Sequence, residues 1–106
     1  AGVAIHPDIL AAAPDAPVIV KRYADAFDAT ELQATLQALG VDELLLCGMM
    51  THNCVTHTAL SRRADDYRCV TVLGEACTTA SEALHRIALS ALSRRVKLAT
   101  VDAALA

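Results

Sequence analysis

Short apolar runs alternate with longer amphipathic stretches along most of this chain. A run of about four to eight apolar residues is typical of a buried strand, and apolar positions at helical spacing are typical of a helix packed on one side. Four runs predict strands, at residues 17–20, 44–47, 69–73 and 96–101. The first of them contains the β-branched residues Val18, Ile19 and Val20 and ends at Lys21.

The stretches between the predicted strands carry helix signals. A capping box that begins with Thr30 predicts a helix over the following ten residues or so. A second helix is predicted to open around residues 51–53 and to run to about residue 66. Another capping box, which begins with Thr79, predicts a third helix. The inward positions of this third helix are predicted to be Leu84, Ile87, Ala88, Ala91 and Leu92.

Strands and helices therefore alternate along the whole sequence. Repeated strand–helix units are typical of a parallel sheet joined by right-handed crossovers, with helices on its faces. The expected fold class is α/β, a three-layer sandwich around a parallel sheet. Residues 1–106 predict a single domain, and the opening strand and helix of a usual doubly wound domain are missing from it.

Composition narrows the class of protein. The sequence is 55% hydrophobic and 20% charged, which excludes a disordered chain. A formal net charge of −3 and an aromatic content of 3% exclude a nucleic-acid binder of the usual basic kind. No stretch approaches the roughly 18–20 apolar residues that a membrane helix needs, and no signal-peptide pattern is visible. We therefore expect neither a nucleic acid nor a membrane as a partner.

The cysteines suggest a reducing compartment. They lie at positions 47, 54, 69 and 77, so that no two form a C-x-x-C pair, which argues against a structural zinc site. Cys47 and Cys69 lie inside apolar runs and are interpreted as small buried hydrophobes. A chain this apolar has a core and does not need disulfides. The expected location is therefore the cytoplasm.

Candidate chemistry lies where the predicted strands end, which is where open α/β sheets bind ligands. Cys54 is predicted in the first turn of a helix that directly follows a buried strand. Unpaired N–H groups and a partial positive charge at such a turn favour a thiolate and can hold an oxyanion. Spacing alone leaves a second interpretation open, in which Cys54 is a small residue packed beneath the helix.

Two other side chains could assist a thiolate at this position. Lys21 directly follows the first predicted strand, and a nearby cation stabilises an ionised thiol. A solvated lysine at the end of a strand is the simpler interpretation of Lys21. His57 lies three residues after Cys54 on the same predicted helix face, so that a Cys–His pair is a rival arrangement. His85 is predicted to be a polar contact at the edge of its helix.

Residues 48–55 read GMMTHNCV and, followed by Thr58 and Ala59, resemble the nucleophile motif of the isochorismatase-like cysteine hydrolases. Further similarities occur in the right order at residues 18–21, 26–27, 30–40, 67–73, 75–78 and 85–92. The resemblance covers nearly the whole chain from about residue 5. It implies a Rossmann-like α/β hydrolase that needs no cofactor, in a family that includes nicotinamidases and other amidohydrolases.

The resemblance also implies a role for individual residues. Cys54 would be the nucleophile and Lys21 the lysine of an Asp–Lys–Cys triad, which cleaves a small-molecule amide through a thioester. The backbone N–H groups of Met50 and Cys54 would hold the oxyanion, with a non-proline cis peptide just before Met50. Phe27 and Thr51 would contact the substrate.

The sequence departs from the family pattern near its N-terminus. No residue matches the triad aspartate, because neither Asp8 nor Asp15 follows an apolar strand. The residues that hold a metal in some nicotinamidases have no counterpart either, so that no metal is expected. Glu75 stands where the family usually has an aspartate. The chain resembles the C-terminal portion of a family domain, and we expect a homo-oligomer or a complementing N-terminal chain to supply the acid.

Two interpretations from other classes compete with an amidohydrolase. The first is a non-catalytic α/β fragment or subunit that needs a partner chain, in which Cys54 would behave as an ordinary thiol. The second is a nucleotide-binding domain, which four glycines in total and the lack of a G-x-G-x-x-G or Walker A loop disfavour.

Overall fold

The computed structural model describes residues 4–106 and contains one parallel sheet. Its strands, in spatial order, are β1 (Glu43–Met49), β2 (Cys69–Thr78) and β3 (Lys97–Ala99). The α-helices are α1 (Pro7–Ala12), α2 (Leu32–Ala38), α3 (Thr56–Ala59), α4 (Glu82–Leu92) and α5 (Val101–Leu105). A π-helical turn at Thr51–Val55 precedes α3, and a 3₁₀ turn at Arg62–Asp66 follows it. The α/β class with a parallel sheet is confirmed.

Two apolar clusters form the core of the described residues. The first lies between the sheet and α3 and α4, and comprises Val55, Ala59, Val72, Cys77 and Leu92. The second comprises Phe27, Leu44, Ala64 and Tyr67. Leu46 and Val70 pack against both clusters and so connect them. On β2 the side chain of Thr71 alternates with that of Val72 and lines a cavity with Ala103 and Ala104 of α5.

The longest strand, β2, is irregular where it passes the end of β1. Leu46 pairs with Val72 and Gly48 with Cys77, so that residues 73–76 form a bulge. Gly74 lies in this bulge, and a Cβ atom there would be 3.1 Å from Cδ1 of Leu89 on α4. The glycine therefore allows α4 to approach the sheet closely. Sequence analysis placed the end of this strand at residue 73 and did not predict the bulge.

The strand predicted at residues 17–20 is wrong. These residues pair with no strand of residues 4–106, and Val18 and Val20 are 57% and 81% exposed. A β-strand is defined by hydrogen bonds to a neighbour, and apolar residues alone do not supply that neighbour. The outer edge of β1 also pairs with no strand among residues 4–106.

The predicted helices differ from the observed ones at their ends. The predicted helix from residues 51–53 to 66 is a π-helical turn that continues into α3 and, after a break at residues 60–61, a 3₁₀ turn. At this break the Ser61 hydroxyl accepts a hydrogen bond from the Arg63 N–H. The N-cap of α4 is Ser81 and not Thr79, because the Ser81 hydroxyl accepts the N–H of Leu84.

Burial also differs from expectation at several apolar positions. Of the five predicted inward residues of α4, Ala88 and Leu92 are buried, whereas Leu84, Ile87 and Ala91 are exposed. Cys47 is exposed and Cys69 is half-buried, so that neither is the buried hydrophobe that its apolar run predicts. Both cysteines lie on strands. Cys47 lies on β1, whose outer edge has no neighbouring strand in the described part of the chain. No helix among residues 4–106 combines the length and apolarity needed to cross a bilayer.

Candidate active site

The backbone makes a sharp change of direction at the end of β1. Gly48 has a φ of +119°, a conformation that residues with a Cβ rarely adopt, and the peptide between Met49 and Met50 is cis. Both features agree with expectation: a glycine at the turn and a non-proline cis peptide before Met50. The chain then enters the π-helical turn Thr51–Val55, which we call the Cys54 turn.

Hydrogen bonds to one carbonyl shape the start of the Cys54 turn. The carbonyl oxygen of Met50 accepts the N–H of Asn53 at 3.0 Å and that of Val55 at 3.3 Å. The N–H of Cys54 lies between these two donors in the same turn. Val55 is buried in the core cluster beneath α3, whereas Cys54 is only half-buried. The turn thus has one side anchored in the core and presents a thiol on the other.

Lys21 and Cys54 lie together. The Lys21 Nζ atom donates a hydrogen bond to the Cys54 Sγ atom at 3.4 Å, although 33 positions separate the two residues. Lys21 is exposed, so that it is a solvated side chain that also has the Cys54 sulfur as a partner.

The segment that carries Lys21, residues 17–30, is fastened by side chains far away in sequence. We call it the lysine segment. The Thr58 hydroxyl on α3 accepts the Ala26 N–H at 2.9 Å and donates to the Ala24 carbonyl at 3.4 Å. The Arg63 guanidinium donates to the Phe27 carbonyl. Since Thr58 is four residues beyond Cys54, the same piece of chain holds both members of the pair in place.

A cavity of about 280 Å³ lies beside the pair. It is lined by Lys21, Ala26, Leu32, Leu46, Cys47, Met49, Cys54, Val55 and Thr58. Most of these side chains are apolar, and the others are the Lys21 ammonium, the thiols of Cys47 and Cys54, and the Thr58 hydroxyl. Such a combination is typical of a small-molecule site, although this cavity lies at the lower end of the usual size range.

Neither predicted substrate contact lines this cavity. Phe27 is 1% exposed and stacks on Tyr67 with ring centroids 6.2 Å apart, so that it belongs to the core. Thr51 is 0% exposed, and its hydroxyl hydrogen-bonds the Nδ1 atom of His85 at 2.8 Å. A role in substrate binding for Phe27 and Thr51 stays a prediction.

The histidines do not form the rival Cys–His pair with Cys54 in the described residues. His57 is exposed, and among residues 4–106 the side-chain hydrogen bond to Cys54 comes from Lys21 and not from His57. The Nδ1 atom of His52 hydrogen-bonds the Thr79 hydroxyl at 2.8 Å. The expectation of a polar contact for His85 agrees with its bond to Thr51.

No carboxylate of residues 4–106 lies within 4.0 Å of the Lys21 ammonium. Asp8 and Asp15 are exposed, and Asp25 accepts the N–H of Phe27 at 2.9 Å instead. Within the same residues no group of three or more His, Cys, Asp or Glu side chains could hold a metal ion. The triad aspartate thus has no counterpart beside Lys21 in the described part of the chain.

Three features near the site escaped sequence analysis. Thr58 fastens the lysine segment, and Thr51 pairs with His85; both contacts join residues more than 30 positions apart. The third feature is Cys77, which pairs with Gly48 across the strands and is buried. Burial raises the pKa of the Cys77 thiol, a hydrogen bond with the Gly48 backbone lowers it, and the neighbouring Cys47 raises it further. Nothing in the local sequence around these residues indicates which distant residue each of them contacts.

Comparison with known proteins places the chain in a family. The isochorismatase domain model matches residues 1–103. The chain is 39% identical over 67 residues to a probable inactive nicotinamidase of Arabidopsis thaliana. This alignment covers 63% of this chain and 34% of that protein.

Solved structures give the same result. An isochorismatase-like hydrolase from Alkaliphilus metalliredigens superposes with a TM-score of 0.80 at 32% identity, over 86% of this chain and 50% of that one. A pyrazinamidase/nicotinamidase from Streptococcus mutans superposes with a TM-score of 0.67 at 31% identity, over 74% of this chain and 44% of that one. The chain spans less than half the length of the curated relatives it matches.

Proposed function

The chain belongs to the isochorismatase family, and from that premise we propose that the protein is a cysteine-dependent amidohydrolase acting on a small molecule. The observation that carries the proposal is the 3.4 Å contact between the Lys21 Nζ and Cys54 Sγ atoms at the wall of a 280 Å³ cavity. The nicotinamidase named among the similar structures supports an amide as the substrate class.

The chemistry begins with attack by the Cys54 thiolate on the amide carbonyl carbon. A C–S bond forms, and the carbonyl oxygen takes the negative charge, which the N–H groups of Met50 and Cys54 would stabilise. The C–N bond then breaks as the leaving nitrogen takes a proton, which leaves a thioester. Water attacks the thioester, the C–S bond breaks, and the acid product and the thiol are released.

Lys21 and a further acid–base group have separate tasks in this scheme. The Lys21 ammonium would donate a hydrogen bond to the Cys54 sulfur and so hold it at the cavity wall. Proton transfer from the thiol to the leaving nitrogen requires a group that can both accept and donate. We propose that this group is an aspartate outside residues 4–106, supplied by a further part of the protein or by a partner chain beside the unpaired edge of β1.

One observation favours a second candidate, a non-catalytic subunit. No carboxylate of the described residues pairs with Lys21, and a relative named as probably inactive shares 39% identity. In this case the cavity would bind a ligand without cleaving it, and Cys54 would react with electrophiles no faster than an exposed thiol.

The test measures ammonia release from nicotinamide and a panel of small primary amides by the purified protein. Cys54→Ser should lower kcat/KM by at least about 10³-fold because it removes the nucleophile, whereas Cys69→Ser, which changes a half-buried cysteine away from the cavity, should not. Lys21→Ala should cost about 10²–10⁴-fold, with Lys97→Ala on β3 as the matched control. Hydrolysis that survives Cys54→Ser would refute the assignment of the nucleophile.

Iodoacetamide separates the two candidate functions when no amide is hydrolysed. An active site predicts that Cys54 is alkylated faster than Cys47 at pH 6–7, and that Lys21→Ala removes the difference. Equal rates for the two thiols would favour the non-catalytic subunit.

A further inference from the structure

We propose that His85 is a positioning residue for the Cys54 turn, acting through the hydroxyl of Thr51. This inference rests on the proposed function, since the turn it fixes carries the assigned nucleophile and the oxyanion donors. His85 does not line the cavity and does not contact the sulfur. Its effect is therefore on where Cys54 lies and not on what touches the substrate.

The Thr51–His85 hydrogen bond has one end in the interior, because Thr51 is buried while His85 is half-buried. The Thr51 hydroxyl lies 2.8 Å from the His85 Nδ1 atom, and the Thr51 residue is 0% exposed. The carbonyl of Thr51 in turn accepts the Thr56 hydroxyl at 2.6 Å. A buried hydroxyl that loses its partner is costly because water cannot replace the bond. Thr51 is thus held firmly from two sides, by α4 and by the first residue of α3.

The anchor on the other end of this bond is rigid. His85 lies on α4, whose residues Ala88 and Leu92 are buried against the sheet. The bond therefore ties the first residue of the Cys54 turn to a helix that is fixed in the core. Thr51 directly follows Met50, whose N–H is assigned to the oxyanion, and precedes Cys54 by three residues.

The neighbouring residue provides an internal comparison. His52 and Thr79 form a pair of the same chemistry and the same 2.8 Å length, but on an exposed surface. Water can replace that bond with little effect on the backbone, since exposed partners stay solvated. Two histidine–threonine pairs thus begin at consecutive residues, and only the buried one is expected to control the turn.

A shift of the Cys54 turn would affect the chemical step. Misplacement of reacting groups by about 1 Å can lower a rate by about 10²-fold. Without the His85 ring, Thr51 can move toward the space that the ring vacates, which disturbs both the Lys21–Cys54 contact and the N–H groups around the oxyanion. Because most of the cavity-lining residues lie outside the Cys54 turn, substrate binding should change little.

The experiment measures kcat and KM for the amide that the protein hydrolyses. His85→Ala should lower kcat by about 10²-fold with KM within about threefold of the starting protein. His85→Asn, which can present a polar atom near the position of Nδ1, should recover most of the loss. His52→Ala is the matched control and should change kcat less than about threefold. If His85→Ala does not fold, His85→Gln takes its place with the same expectation.

A double-mutant cycle tests whether His85 acts through Thr51. The losses from Thr51→Val and His85→Ala should not add, because both remove the same bond, whereas Thr51→Ser should keep it. Additive losses, or an unchanged kcat in His85→Ala, would overturn the proposal.

Alkylation of Cys54 by iodoacetamide gives a readout that does not depend on hydrolysis. His85→Ala should slow Cys54 alkylation while leaving that of Cys47 unchanged, and His52→Ala should change neither. An unchanged Cys54 rate in His85→Ala refutes the positioning role alone. Hydrolysis that survives Cys54→Ser refutes the proposed function alone.

Discussion

Lys21 and Cys54, which form the hydrogen-bonded pair beside the cavity, are held in opposite ways. Cys54 follows a strand of the sheet and lies in a turn whose own backbone bonds, to the Met50 carbonyl, fix its shape. Lys21 lies in the lysine segment, which belongs to no sheet and carries a 57% exposed Val18 and an 81% exposed Val20. Its position depends on contacts of Ala24, Ala26 and Phe27 with distant residues.

This difference predicts how each half responds to substitution. The Cys54 side rests on the sheet and on the cluster around Val72 and Leu92, so that many contacts share its stability. The lysine segment depends on few contacts, among them one buried ring and one threonine hydroxyl. Single changes at those two points should therefore separate the ammonium from the thiol while the sheet stays folded.

The largest effect is expected from Phe27→Ala. Phe27 is 1% exposed and stacks on Tyr67, and truncation of a buried phenylalanine typically costs about 3–5 kcal/mol of unfolding free energy. Urea denaturation of the purified protein measures this cost. Tyr23→Ala, in the same segment but 55% exposed, should change it by no more than about 0.5 kcal/mol. Similar costs for both variants would mean that the exposed face of the lysine segment is covered by something else.

A smaller effect is expected from Thr58→Val, which keeps the shape of the side chain and removes its hydroxyl. The Ala26 N–H then loses its acceptor, at a cost of about 1–3 kcal/mol. Alkylation of Cys54 should also slow toward the rate of Lys21→Ala, since the lysine segment is no longer fastened to α3. Thr58→Ser keeps the hydroxyl and should behave like the starting protein. A fully reactive Cys54 in Thr58→Val would show that other contacts suffice.

The smallest effect distinguishes the two core clusters by pH. Burial raises the pKa of Cys77, which lies in the cluster around Val72 and Leu92, above its ordinary value of 9.0. Burial, with a smaller contribution from the nearby Asp66 charge, raises the pKa of Tyr67 above its ordinary value of 10.0. Tyr67 lies in the other cluster, with Phe27. Each group ionises more readily when unfolded, so its contribution to stability is complete below the ordinary pKa and is lost as pH rises through the folded one.

The unfolding free energy should therefore begin to fall above about pH 9 and fall more steeply above about pH 10. Urea denaturation at a series of pH values measures both slopes. Cys77→Ala should flatten the first slope and leave the second, whereas Tyr67→Phe should do the reverse. A first slope that persists in Cys77→Ala would assign it to another group.

Sequence patterns predicted the parts of the fold that depend on neighbouring residues. Apolar runs gave the cores of β1 and β2, and a glycine after a buried run gave the turn at Gly48. The strand prediction was wrong for residues 17–20 because a strand needs a neighbouring strand, which an apolar run cannot specify. The family resemblance placed Phe27 at the substrate, whereas the structure shows its ring buried in the core, as is common for a large aromatic side chain.

The pairing of Lys21 with Cys54 was expected from the family resemblance, whereas the contacts that support the pair were not predicted. Cys54 at a helix start and Lys21 at the end of an apolar run each carry a local chemical signal, and the family resemblance joined them. Thr58, Thr51 and His85 have ordinary local sequences, and their contacts join residues 32 and 34 positions apart. Only the folded chain shows which of several threonines and histidines have a buried partner.

The separation of 33 positions between Lys21 and Cys54 has a consequence for the order of folding. Closing a loop of that length costs chain entropy before any contact compensates for it, whereas the Cys54 turn needs only local bonds. Secondary structure should thus form before the ammonium reaches the sulfur. In refolding experiments, the gain of thiol reactivity should lag behind the gain of helical and sheet signal.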